Sequence, residues 1–111
     1  MKGDPPIEYL AYFAAGAFLA NGIPHFVNGI SGNNFQSPFA KPPGVGESSG
    51  LINVLWGLVN LVIGSLLVMG VGNFKTGFTL DLLVLATGFC VTAVVLAWYF
   101  GKVRRRNHDQ G

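Results

Sequence analysis

The stretch LINVLWGLVNLVIGSLLVMGV, residues 51–71, decides the fold. It runs for 21 residues without a charged side chain. A helix rising 1.5 Å per residue needs about 20 such residues to cross the roughly 30 Å hydrocarbon core of a bilayer. Its departures from pure hydrocarbon are ordered. Asn53, Gly57, Asn60 and Gly64 follow one another at steps of four, three and four, which places them on one helix face. The stretch therefore predicts a membrane-spanning helix with one polar seam.

Downstream, the short link GNFKT leads into a second apolar run over residues 77–101. A link this short predicts that the two helices are antiparallel neighbours. Upstream lies a third run over residues 7–29, with Pro5 and Pro6 at its start, where proline is tolerated, and Asp4 as its cap. Pro24 interrupts this run and predicts a kink or an end there, because proline removes one helical hydrogen bond. The connector over residues 31–50 (SGNNFQSPFAKPPGVGESSG) is too rich in Gly, Pro, Ser and Asn to be regular helix or strand. Its Phe35 and Phe39 are unusual for a free linker and suggest a loop at headgroup level or folded back on the helices. The expectation is an all-α integral membrane protein with three transmembrane helices, the first kinked at Pro24, forming a single domain over residues 1–111.

Composition agrees. Half of the 111 residues are hydrophobic and 11% are charged, where a soluble domain carries about a quarter. The net charge of +2 matters less than its placement. Lys102, Arg104, Arg105 and Arg106 crowd the stretch after the last apolar run, a basic tail over residues 102–111. A basic tail joined to an apolar helix reads as a topology signal rather than a nucleic-acid site. With three spans, Lys41 joins those four on one side, against Lys2 and Lys75 on the other. Excess Lys and Arg mark the cytoplasmic side, so the C-terminus is expected inside and the N-terminus outside. Trp56, Trp98 and Tyr99 then sit near the inner interface, and Tyr9, Phe74 and Phe78 near the outer one. Residues 1–8 are mixed in charge, and no small-residue cleavage site follows the first run, so a secretory signal is not expected.

Each run carries a line of small or polar residues at helical spacing. The lines are Ala14, Ala17, Asn21, His25 and Asn28; then Asn53, Gly57, Asn60 and Gly64; then Asp81, Gly88 and Thr92. Lipid provides no hydrophobic drive between helices, so small residues for close approach and polar residues for hydrogen bonds mark contact faces. Asn21, Asn60 and Thr92 each fall roughly 12–15 Å from the inner end and can share a layer.

Two readings of the polar set Asn21, His25, Asn28, Asn53, Asn60 and Thr92 stay open. It can be a site that binds a small ligand or passes a proton or ion. It can equally be helix-to-helix glue, the commoner use of Asn–Gly seams. His25 is the sharpest residue, since an ionisable group in a span is a functional candidate and histidine titrates near neutrality. Donation to a carbonyl freed by Pro24, or to Asn28 or Asn53, would make it structural. Near the outer face, Glu8 reads as interfacial. Asp81 reads as a residue that caps or neutralises the N-terminus of the third helix, with Lys75 near enough to pair, or as a proton relay.

Catalysis finds little support, and a membrane enzyme or lipid-binding protein using His25 under the connector stands as a third option. No serine–histidine–acid set lies in the spans, the other histidine, His108, is in the tail, and Cys90 stands alone. Metal-ligand spacings, a phosphate loop and a haem attachment motif are absent from the sequence, so neither cofactor nor metal is expected.

The blocks Asn21-Gly22-Ile23-Pro24-His25-Phe26, Ser37-Pro38-Phe39-Ala40 and Asn53-Val54-Leu55-Trp56-Gly57 resemble the signature of a group of short bacterial inner-membrane proteins. The resemblance spans most of residues 15–65. It implies a bacterial inner membrane and carries no activity with it. The chain is not similar to the four-helix small multidrug exporters, which place a glutamate inside the first span, whereas Glu8 lies at its edge. The expected role is a non-enzymatic accessory or interaction subunit, assembled through its Asn/Gly faces with itself or a larger membrane complex. The alternative is a homo-oligomeric transporter or channel with a path around His25, Asn21, Asn53 and Asn60.

Overall fold

A computed structural model of the chain describes residues 6–110. The expected cap Asp4, Pro5 and the topology residue Lys2 lie outside the described residues. Three helices dominate: α1 (Pro6–Ile30), α2 (Gly50–Gly70) and α3 (Leu80–Gln110). Each is long and apolar enough to cross a membrane. Two short strands, β1 (Phe35–Gln36) and β2 (Glu47–Ser48), lie between α1 and α2.

Helix α1 runs through Pro24 to Ile30. The Asn28 side chain donates to the Pro24 carbonyl at 2.7 Å. The helix stops where its carbonyls are capped by the turn that follows. Asn33 N–H donates to Asn28 O at 2.9 Å and Gly32 N–H to Gly29 O at 3.0 Å, with Gly32 at φ 77°. That pair of bonds is the Schellman stop, and it needs a residue that accepts positive φ. Helix α2 begins at the Ser49 cap, whose hydroxyl accepts from Ile52 N–H at 3.3 Å.

Helix α1 is central, and both other helices pack on it. Against α2 it runs antiparallel, with Ala15 facing Gly64, Gly22 facing Gly57, and Gly29 facing Gly50. The small residues recur every seven positions on both helices, the spacing that keeps one seam in register along a left-handed pair. A methyl group at Gly57 would stand 2.6 Å from the Phe26 nitrogen and 2.9 Å from the Gly22 carbonyl oxygen, so the two backbones touch. Against α3 the contact is as close. Gly16 meets the Leu85 carbonyl, and Gly88 meets the Phe13 carbonyl.

Several expectations need correction. Helices α2 and α3 follow each other in the chain, yet they do not form a packed pair. The link is longer than GNFKT, because α3 starts at Leu80 rather than residue 77. Both helices pack on α1 instead, with a notch left between them. The stripe read on α1 is also incomplete. Tyr12, Ala15, Gly16, Ala20, Gly22 and His25 are buried, while Ala14, Ala17, Asn21 and Asn28 are half-buried. A central helix buries two faces, and a search for one stripe falls between them.

The basic segment after residue 101 is helix, not a separate tail. Helix α3 spans 31 residues, about 46 Å at 1.5 Å per residue, and so outruns a bilayer core. Val103, inside this extension, is 5% exposed. Asp81 lies in the first turn of α3, where its charge suits the helix N-terminus, but it neither caps the helix nor pairs with the Lys75 ammonium. Thr79 caps it, accepting from Leu82 N–H at 3.2 Å, and the Asp81 carboxylate accepts the Lys75 backbone N–H at 3.0 Å.

The connector contains strand after all. Phe35 pairs with Ser48 and Gln36 with Glu47 in an antiparallel ladder. The hairpin folds back over the helix ends. Phe35, Gln36 and Ser37 are each under 5% exposed. Helix α3 pins it from the other side: the Tyr99 hydroxyl donates to Gly44 O at 2.9 Å, and the Asn107 amide donates to Val45 O at 3.3 Å.

Candidate functional site

Asn53 holds the hairpin, α1 and α2 together. It sits in the first turn of α2 and is fully buried. Its amide nitrogen is within bonding distance of three carbonyls: Phe35 O at 3.0 Å, Ser48 O at 3.2 Å and Ser49 O at 3.1 Å. Carbonyls only accept, so the orientation of this amide is unambiguous. Its Oδ1 therefore points the other way, to His25 Nδ1 at 2.8 Å.

That contact sets the histidine tautomer. An amide oxygen has no proton to give, so His25 Nδ1 carries the hydrogen and donates. Nε2 of the neutral ring is then a lone-pair acceptor, and among the described residues it has no hydrogen-bond partner. The ring is 3% exposed and stands edge-on to three aromatic rings: Phe35 at 5.4 Å, Phe100 at 6.0 Å and Trp56 at 6.4 Å between centroids.

Deeper in the helices, the Asn21 amide donates to Asn60 Oδ1 at 3.0 Å, and the Asn60 amide donates to Trp56 O at 2.8 Å. The Trp56 carbonyl fixes Asn60, Asn60 fixes Asn21, and among the described residues Asn21 Oδ1 has no donor. Asn21 and Asn60 line a notch with Thr92, Ala17 and Phe18, so the three polar residues expected in one layer share one recess. The notch lies where α2 and α3 leave α1 uncovered. Thr92 makes no hydrogen bond within the described chain, unlike Thr87, which donates to Leu83 O one turn back.

Above the notch, under the hairpin, is a cavity of about 220 Å³. Asn21 and His25 line it, with Gln36, Trp56, Tyr99 and Phe100. Gln36 is 1% exposed; its amide nitrogen reaches Glu47 Oε2 at 3.4 Å, while its Oε1 is buried and has no partner. No protein-family model, curated protein or solved structure matches the chain. The chemistry must be read from the cavity itself.

The structure does not bring the whole expected set together. Asn28 is spent on the Pro24 carbonyl and lines a different recess, a largely apolar groove of about 470 Å³ with Arg104 at its edge. Glu8 and Asp81 belong to the opposite end, where the Glu8 carboxyl lies against Gly72. There the Tyr12 hydroxyl donates to Val71 O at 2.9 Å and its ring meets Phe74. Of the basic residues, Lys102 Nζ lies 5.0 Å from the Trp98 ring and the Arg104 guanidinium 5.9 Å from Phe35, while Arg105 and Arg106 are exposed. Gln36, Tyr99 and Phe100 were not foreseen. Phe35 carried a sequence signal as an aromatic in a polar linker, and Tyr99 one only as an aromatic near the end of a span. Among the described residues no three His, Cys, Asp or Glu side chains cluster as metal ligands.

Proposed function

We propose that this protein is a non-enzymatic interaction subunit of a bacterial inner membrane. It spans the membrane three times with its C-terminus inside, and it receives a transmembrane helix of a larger partner between α2 and α3. The observation that carries this reading is the uncovered notch at Asn21, Asn60 and Thr92. An acceptor oxygen and a hydroxyl facing hydrocarbon are costly, and a neighbouring helix with an amide or hydroxyl at that depth would satisfy both. The Asn/Gly face of α2 is already used inside the protein, against α1. Assembly is therefore assigned to the groove instead of that face. The five-to-two distribution of basic residues and the helical continuation of α3 past the bilayer core support the orientation.

Native mass spectrometry of the tagged protein, released gently from its own membrane, tests the reading. A stoichiometric larger partner that cross-links to Thr92→Cys is the expected result. A bare monomer that yields no Thr92→Cys adduct in intact membranes would sink it.

A homo-oligomeric transporter or channel is the second reading. It is favoured by one feature: the notch and the cavity share Asn21, so polar lining continues from mid-helix to the hairpin. It requires a defined homo-oligomer and a liposome flux that His25→Ala abolishes while the protein stays folded. A flux indifferent to that change would remove the histidine from any path.

A further inference from the structure

The cavity beneath the hairpin has a chemical preference of its own, and it shares with the notch only Asn21, whose amide oxygen has two lone pairs and can accept on both sides. We infer that it binds a primary ammonium group, R–NH3+, through Asn21 Oδ1, His25 Nε2 and Gln36 Oε1. Each acceptor is fixed by a bond on its far side. Asn60 holds the Asn21 amide, Asn53 holds the His25 ring in its Nδ1–H form, and Glu47 takes the Gln36 amide nitrogen. Gln36 Oε1 is the deciding atom. Buried polar oxygens are nearly always paired, and this one is closed off without a partner in a side chain that lines the cavity, so the amide must turn a little to meet a bound donor.

Three acceptors match the three N–H donors of an ammonium head. The walls add a second attraction. Trp56, Tyr99 and Phe100 line the same space, and aromatic faces attract cations. The Glu47 carboxylate stands behind Gln36 and contributes negative charge. A metal ion suits the donor set poorly. One imidazole and two amide oxygens are not a transition-metal set, and an imidazole is a poor ligand for alkali or alkaline-earth ions. At about 220 Å³ the cavity has room for a short substituent on the ammonium. Two sources carry this chemistry: the ethanolamine head of a phospholipid and a free small amine.

The test uses the full chain in phosphatidylcholine nanodiscs, in a Trp98→Phe background, so that Trp56 is the sole tryptophan reporter. Methylammonium chloride is expected to change Trp56 fluorescence saturably. Tetramethylammonium carries the same charge without N–H donors, so it keeps only the attraction to the aromatic walls and is expected to act at least tenfold more weakly. Gln36→Met removes the unpartnered oxygen at similar volume, so it should fold at least as well as the parent. It should nonetheless weaken methylammonium binding about tenfold or more, the size of one charge-assisted hydrogen bond. Adding phosphatidylethanolamine to the nanodiscs separates the sources. Competition with methylammonium assigns the site to the lipid head, and its absence assigns it to a free amine. The inference is overturned if both ammonium ions act alike, if neither acts, or if Gln36→Met responds as the parent does.

Discussion

His25 Nδ1 and Asn53 Oδ1 stand 2.8 Å apart, and the bond between them ties α1 to α2 at the point where the hairpin closes over both. Neither residue is free to choose its orientation. Three carbonyls fix the amide of Asn53, and the amide fixes the imidazole. The same two side chains thus perform the packing role and prepare an acceptor, Nε2, for the cavity. The packing and ligand readings of this histidine are not exclusive, because the bond to Asn53 uses Nδ1 alone.

Asn53 should matter more than His25 for folding. Asn53→Ala removes two amide N–H groups, shared among three carbonyls, and strands the His25 N–H. A stranded buried polar group costs roughly 1–3 kcal/mol, so a loss on the order of 3–4 kcal/mol is expected. His25→Phe forfeits one hydrogen bond, keeps the aromatic cluster and should cost about 1 kcal/mol. Thermal unfolding in one detergent, followed by near-UV circular dichroism, ranks the two. Equal losses would contradict the anchoring role of Asn53.

The glycine seam predicts a sharp positional contrast. Gly57→Ala places a methyl 2.6 Å from the Phe26 nitrogen, which is backbone and cannot turn aside. The helices must separate, at about 1–3 kcal/mol for an overpacked contact. Gly70→Ala, on the same helix, meets nothing within 4 Å. It should be neutral or stabilise by up to about 1 kcal/mol, since alanine is the better helix former. Melting temperatures of the two variants should move in opposite directions or differ by that margin.

The α2 seam was legible because α2 buries one face, and its buried residues are the four that the spacing selects. On α1 the same reasoning missed Ala15, Gly16 and Ala20, since two helices claim two faces and the period blurs. The hairpin was illegible for another reason. Strands of two residues carry no alternation to detect, and Phe35–Gln36 and Glu47–Ser48 pair because Asn53 and Ser37 hold them from the side. The Ser37 and Ser48 hydroxyls are 2.6 Å apart, a contact between residues 11 positions apart that no local pattern announces. The Asn21–Asn60–Thr92 layer followed from helix rise alone, whereas Gln36 reached the site through the hairpin register.

Tyr99 clamps the hairpin from α3. Tyr99→Phe removes the 2.9 Å bond to the Gly44 carbonyl and leaves the ring in place. One net hydrogen bond is worth roughly 0.5–1.5 kcal/mol, so hairpin opening should become up to about tenfold more frequent. Hydrogen exchange of amides over residues 36–48 should quicken by that factor, with α1 and α2 unchanged. Uniform acceleration across the helices would mean that the clamp supports the whole bundle instead.

The last prediction concerns orientation. Lys102, Arg104, Arg105 and Arg106 occupy the part of α3 that extends beyond a bilayer core, next to the connector that carries Lys41. A reporter that works only in the cytoplasm, fused after Gly111, should be active. Moving those four charges should reverse the arrangement, because Lys and Arg near span ends set topology and acidic residues contribute little. Replacing all four by Gln leaves one basic residue, Lys41, on that side against Lys2 and Lys75 on the other. The balance then favours inversion, and a substantial fraction of the reporter should fall silent. The buried Val103 and the Asn107 bond to Val45 are untouched by this change, so the hairpin remains a fold control within the same variant. A reporter active only outside the cytoplasm in the unaltered protein would refute the orientation outright.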